Sequence, residues 1–484
     1  MFKTKNIKYG HFLAVVAVAL FVCVVTSLLT LHSHIIFYQE QHSLFLYSAD
    51  YMEQTVHWKG LPAYIGAFMV QFYHIPALGA AITAAVLTGV YVLTELTILN
   101  ITGRRDMLQI GVAAAVALYF TLDGIDETPA WAAIALVAML ALWLLSRPIR
   151  RHRYSIKPLT LKTCIIPLAL ATAYIMTGFY IQAKNYDRPT RAMLRAEKAI
   201  KEKKWDEALA ITDRYLGTGR VNKLMFYFRN IALAEKGELI DRLFDFPLKP
   251  GQQALAFPWH GEGREAEYGH LVHEITGDIN AAHHWAFEAM TTWGETAPHL
   301  TDLARYNVAL GRPKVARKFA DKLAQSLFYR DEADRIMRQI EGTMPPELHV
   351  AQPDSTTIKW VNVHDFRPNL MQNYLADPGN GITRQYLIAA MLVNNDLADL
   401  MTILQPEDQK HRNLREAILI YSLDPHSTPL DTLGFEVKEE TGRDFSKFLE
   451  MYKSRSIYLE EKFGKTFLYY THIISPVNKM QKHN

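Results

Sequence analysis

Cysteine is nearly missing from this chain: only Cys23 and Cys164 occur among 484 residues, so the 300 residues after position 184 can form no internal disulfide. Also missing are the HExxH, P-loop, GxSxG and CxxC patterns, which removes the commonest sequence signatures of zinc hydrolysis, phosphate cradling, nucleophile elbows and dithiol redox chemistry. An excess of either charge is lacking too, since 52 basic residues stand against 49 acidic ones. Duplex binding needs a concentrated basic face, so nucleic acid is excluded as a partner. Charge is wholly absent from Phe12 to Leu31, whereas no apolar run of that length occurs beyond residue 184. The average of 49% hydrophobic residues therefore hides two different objects joined end to end, a membrane part and a water-facing part.

A full charge at the bilayer centre costs about 2.5 to 3.5 kcal/mol on insertion scales, so the intervals between charges bound the spans. The charge-free intervals predict five transmembrane helices, at about 11–33, 75–97, 107–122, 129–146 and 163–183. Pro76 divides the long second interval, leaving 61–74 as an interfacial or re-entrant segment. The apolar core of the first run is too long for a signal peptide and no A-x-A site follows it, so it is expected to stay as an anchor.

Orientation follows from the loops. Lys3, Lys5 and Lys8, then Arg104 and Arg105, then Arg147, Arg150, Arg151, Arg153, Lys157 and Lys162 alternate with loops carrying Glu40, Asp50 and Glu53 and then Asp123, Asp126 and Glu127. The positive-inside rule puts the N-terminus in the cytoplasm and the C-terminal region on the other side.

Beyond Pro189 the chain is rich in Ala, Leu, Glu, Lys and Arg at helical spacing, broken by short turns. Gly277-Asp278-Ile279-Asn280-Ala281-Ala282 and Gly311-Arg312-Pro313-Lys314-Val315-Ala316 lie 34 residues apart, and Gly237 lies 34 residues after Lys203, which precedes Lys204-Trp205-Asp206-Glu207-Ala208. A small residue ends one helix in a left-handed conformation, and an Ala five residues on lets the next helix approach closely. This spacing resembles the tetratricopeptide repeat (TPR), and the resemblance implies paired antiparallel helices over 185–342. One unit, where Arg242 replaces the small Ala, is degenerate. A further helical region is expected over 343–484, with a short extended excursion at 347–363 and a loop or small strand at 431–442. The fold class expected is mainly α, five transmembrane helices followed by a TPR-like solenoid domain.

The whole chain also resembles an uncharacterised family of multi-span membrane proteins of Bacteroides-like bacteria, through Glu40-Gln41 with Leu44-Phe45, Tyr51, Gly60-Leu61 with Tyr64, Gln71-Phe72 and Ala286-Phe287-Glu288-Ala289. That resemblance implies a bacterial inner membrane location with an extracytoplasmic C-terminal domain. It implies no activity.

Two groups of residues could carry chemistry. Glu40 and Asp50, with His32, His34, His42, His57 and His74, fall near the outer membrane surface. An acidic loop after the first span resembles polyprenyl-linked membrane glycosyltransferases, which implies a base or metal ligand at Glu40 or Asp50; the ordinary role of such residues is to flank a helix hairpin. His270 and His273, at i and i+3, could share a metal on one helix face, with Glu274, His283 and His284 nearby. Counting from Ala282 puts both on the packing stripe of the repeat, where structural histidines are expected and no metal or other cofactor is. The expected function is a membrane-anchored helical-repeat scaffold that binds an envelope protein, peptide or glycan. The alternative is a membrane-embedded glycosyltransferase-like or transport-related protein with accessory repeats.

Overall fold

In the computed structural model, residues 9–122, 124, 128–149, 161–184, 187–259, 263–348, 350 and 365–475 are described. They are helical with turns, and contain no strand. The chain forms two units, the first holding residues 1–188, 295–301 and 317–338, the second 189–294, 302–316 and 339–484.

In the first unit, α1 (Tyr9–Thr30), α2 (Ser33–Gln41), α3 (Ala49–Lys59) and α4 (Leu61–Val70) lead through a 3-10 turn at Gln71–His74 into α5 (Pro76–Thr102). Pro76 opens α5 at the position where a missing N–H costs nothing, and left-handed Gly103 closes it, its N–H donating to the Leu99 carbonyl at 3.0 Å. After α6 (Ile110–Phe120), α7 (Ala130–Ser146) and α8 (Leu161–Lys184), the core centres on α5, which packs against α1, α6 and α7. Val16, Leu20, Ala80, Ala84, Leu87 and Val112 are buried there.

The five crossings predicted from charge spacing are not all matched by helices of sufficient length. Three helical stretches are long and apolar enough to cross a membrane, Tyr9–Thr30, Pro76–Thr102 and Thr163–Gln182. The 11 residues of α6 rise about 16 Å and the 17 of α7 about 25 Å, against a hydrocarbon core of about 30 Å. The shortening of α6 has a local cause. The Asp106 carboxylate accepts the N–H groups of Leu108 (2.9 Å) and Ile110 (2.5 Å), and Gln109 turns left-handed, so the helix starts at Ile110 rather than at 107.

The second unit is a succession of helices: α9 (Arg188–Lys201), α10 (Trp205–Leu216), α11 (Lys223–Glu235), α12 (Leu239–Arg242), α13 (Arg264–Tyr268), α14 (His270–Ile275) and α15 (Ile279–Trp293). Next come α16 (Ala297–Ala309) and α17 (Pro313–Leu323), each divided between the units; α18 (Arg330–Ile340) lies almost wholly in the first. Then the second unit resumes with α19 (Phe366–Ala376), α20 (Gly381–Asn394), α21 (Leu397–Ile403) and α22 (Arg412–Ser422). Five of these helix pairs are closed by one and the same turn. Lys203, Gly237, Gly277, Gly311 and Asn395 all have φ between 55° and 77°. In each, the next N–H donates back five residues, from 204 to Ala199, 238 to Leu233, 278 to His273, 312 to Asn307 and 396 to Met391, at 2.8–2.9 Å. This is the Schellman closure, which satisfies carbonyls the helix end would otherwise orphan. Five residues beyond the left-handed position, Ala208, Ala282, Ala316 and Leu400 are fully buried. At the Gly237 turn the corresponding residue is Arg242, and the following helix, α12, has only four residues. Its guanidinium instead bonds Glu238, Asp213 and Asp245.

Most of the excursion expected at 347–363 lies outside the described residues. The loop or small strand expected at 431–442 is a one-turn helix (Leu430–Leu433), five irregular residues, and the start of a helix at Glu439. Leu430 and Leu433 pack against the core of the unit, and that packing sets their conformation.

Lys203 is the one bulky residue among the five left-handed positions. A side chain there costs about 1 to 2 kcal/mol, against about 0.5 to 1 kcal/mol for the extra freedom glycine loses. Lys203→Gly is therefore expected to stabilise the full-length protein by up to about 1 kcal/mol, read by chemical denaturation in detergent. An unchanged or lowered midpoint would refute the strain argument.

Candidate functional site

The best-formed polar cluster of the first unit is built on Glu40. Its side chain leaves the last turn of α2 and is 7% exposed. Three donors converge on the carboxylate: Gln41 Nε2 at 2.6 Å, the His74 ring Nδ1 at 3.1 Å, and the Tyr329 hydroxyl. His74 closes the 3-10 turn before α5, and its ring stacks on Phe328 at 5.2 Å and meets Tyr329 edge-on at 5.0 Å. Nearby, the Tyr47 N–H donates to the Gln325 carbonyl at 2.9 Å. Burial alone would raise the Glu40 carboxyl, but the hydrogen bonds from His74, Tyr329 and Gln41 outweigh it and hold the group below the usual carboxylate range. Burial and then the Glu40 charge push the Tyr329 hydroxyl up.

The chemistry open to this cluster is narrow. His74 and Tyr329 bond one carboxylate oxygen and Gln41 bonds the other. The adjoining cavity, bounded by Ser43, Gln71 and Ser326, has a volume of about 20 Å³. A single water needs roughly 10 to 15 Å³ on this measure, so one water fits and a substrate does not.

The other candidates of that loop do not join it. Asp50 is exposed in the first turn of α3, where the helix dipole favours a carboxylate. His32 Nδ1 bonds the Tyr119 hydroxyl at 2.8 Å, which also meets the Ser27 hydroxyl at 2.5 Å. His42 Nδ1 bonds the Tyr38 carbonyl at 2.8 Å, and its ring lies 3.8 Å from the Tyr38 ring. His34 is buried and His57 exposed.

In the second unit His270 and His273 both sit on α14, 8% and 3% exposed, but they look to different neighbours. His270 Nε2 is 3.5 Å from Asp302 of α16, whereas His273 faces a cavity beside Trp259 and Phe366. Each has a buried Nδ1 with no hydrogen-bond partner among the described residues. Glu274 is taken up elsewhere, accepting from the Tyr306 hydroxyl at 2.5 Å and from Arg305 at 3.3 Å. His284 is exposed and packs on Trp259 at 4.5 Å. Among the described residues no three His, Cys, Asp or Glu side chains are grouped closely enough to hold a metal ion.

Two stretches, 8–184 and 155–474, match the model of a family of unknown function, DUF6057. The chain belongs to that family. Together the matches span nearly its whole length and include Glu40, His74, His273 and Tyr329. No curated protein matches, and no solved structure does.

Two polar contacts of the first unit went unread in the sequence. Tyr329 lies 289 positions from Glu40, in a turn with no motif to mark it. Glu95, inside α5 and fully buried, accepts from the Tyr9 hydroxyl at 2.8 Å. A carboxylate within an apolar run was the available signal, because it must find a donor.

Proposed function

We propose that this DUF6057 member is a membrane-anchored binding protein of the bacterial cell envelope, with a TPR-like helical region on the extracytoplasmic face. The single observation that carries the reading is the Tyr329–Glu40 hydrogen bond. Residue 40 follows one apolar helix and residue 329 follows all of them, so partners on one side of the bilayer require an even number of crossings between them. Crossing by α5 and α8 meets that condition, and so does crossing by α5 to α8 together, as in the five-span topology. The basic segments before α1 and between α5 and α8 then assign the shared side to the outside. The family resemblance favours the bacterial inner membrane.

Binding rather than transfer chemistry is supported by two further facts. Both oxygens of Glu40 are occupied beside a cavity of one water's size, and five recurrent Schellman closures stack helix pairs of the kind that build extended binding surfaces. Envelope protein, peptide and glycan partners all suit such a surface.

The test is labelling of single-cysteine variants, with Cys23 and Cys164 replaced, by a membrane-impermeant maleimide in intact spheroplasts. Cysteine at the exposed positions Lys314 or His284 is expected to react, and cysteine at Arg105 only after lysis. Protection of position 314 until lysis would overturn the topology and the function read from it.

A further inference from the structure

A cavity of about 120 Å³ opens in the second unit where the segment after the 3-10 turn Gly251–Ala254 passes α14 and the start of α19. A water needs roughly 10 to 15 Å³ on this measure, so the space holds several waters or one small ring, and a polypeptide strand does not fit. Its walls combine two kinds of side chain. Phe257, Trp259 and Phe366 supply aromatic surface, while Gln252, Gln253 and Asn369 supply amides.

His273 forms part of the wall, 97% removed from solvent at 3% exposure, and its Nδ1 has no partner among the described residues. A buried ring nitrogen without a partner is destabilising, so an occupant that supplies one is favoured. Burial pushes His273 down to about 4, against the pull of Asp278 and with His270 and His284 adding to the depression. It is neutral at physiological pH, offering one N–H and one lone pair.

The charges present narrow the occupant further. Among the described residues no Lys or Arg lines the cavity, which disfavours phosphate and carboxylate ligands. Asp365 is the one ionised group in the wall among the described residues, and it is already engaged. Its Oδ1 accepts from Gln252 Nε2 and from the Arg367 N–H, both at 3.0 Å, and the Arg367 guanidinium lies 3.8 Å from its Oδ2. A cationic ligand would have to displace that neutralisation. A hydroxyl group both donates and accepts, which is what amides and a neutral imidazole can match, and the C–H face of a sugar ring packs on aromatic surface.

We propose that this cavity binds a neutral sugar ring, either free or as the terminal unit of a glycan. The proposal deepens the reading of the helical region as a binding element, and a sugar titration can fail while that topology test succeeds.

The experiment is calorimetric titration of the full-length protein, in a detergent without a sugar headgroup, with neutral hexoses, N-acetylhexosamines and their disaccharides. At least one is expected to bind with a millimolar or tighter Kd. A disaccharide binding at least about tenfold tighter than its monomer would assign the site to a glycan end, and equal affinity to a free sugar. Gln253→Ala, at the exposed mouth, and His273→Phe, which keeps the ring packing on Phe366, are each expected to weaken binding roughly tenfold. Trp259→Phe should weaken binding, because it shrinks the aromatic wall on which the ring packs. No heat from any neutral sugar, binding of phosphate or a quaternary ammonium ion instead, or sugar binding indifferent to Gln253→Ala and His273→Phe would overturn the proposal.

Discussion

Tyr329→Phe is expected to destabilise the full-length protein by about 1.5 to 3 kcal/mol, because it removes a hydrogen bond to a buried carboxylate while leaving the charge in place. Glu40→Leu should cost more, about 3 to 5 kcal/mol, since three hydrogen bonds to the buried carboxylate are lost together. Glu40→Gln keeps an acceptor for Tyr329 and should be the mildest of the three. The same carboxylate makes stability depend on pH. Its folded value lies below the ordinary one, so the native state holds fewer protons than the unfolded state between the two values. The stabilisation is complete above the ordinary carboxylate value, about 4.3, and is lost as pH falls from there through the depressed native value. Denaturation midpoints measured in detergent across acidic pH should show this loss for the wild type, with a flatter profile for Glu40→Gln. A wild-type stability that rises on acidification, or a Tyr329→Phe variant as stable as wild type, would show that the carboxylate is not held by these donors.

Ala316→Trp is expected to destabilise by at least about 1 to 3 kcal/mol, and Lys314→Glu to stay within about 0.5 kcal/mol. The two positions are two residues apart on α17, yet Ala316 is fully buried and Lys314 exposed. An indole at 316 cannot be accommodated without separating α17 from its neighbours, whereas 314 meets water. Ala282→Trp on α15 should behave like Ala316→Trp, because it occupies the same place relative to its turn. Chemical denaturation of the full chain is the measurement. Equal midpoints for the 314 and 316 variants would mean that the small residue is not a packing requirement, and would remove the physical basis of the proposed TPR-like reading.

Part of the candidate site was legible in advance. Glu40 and His74 stood out as polar groups beside an apolar run, and they meet. Asp50 stood out equally and does not, because chain proximity after a helix says nothing about which way a side chain faces. His270 and His273 have the spacing of a shared site, but α14 has only six residues and its neighbours draw one ring to Asp302 and the other to the cavity. Charge spacing overcounted the helices long enough to cross, because an apolar interval bounds a helix without making it helical throughout. Asp106 caps α6 late, and no count of charges could show that.

The sequence by itself determined where the apolar helices lie and where the helix pairs of the second unit turn. Both properties are local: transfer free energy adds residue by residue along a run, and a left-handed turn favours glycine or asparagine at one position regardless of what lies further off. Only the tertiary structure decided that Tyr329 reaches Glu40 and that the buried His273 faces a cavity walled by Trp259 and Phe366. Those arrangements depend on packing between segments far apart in the chain. Closing such a loop costs entropy that grows only slowly with its length, so separation along the sequence places almost no restriction on which residues meet.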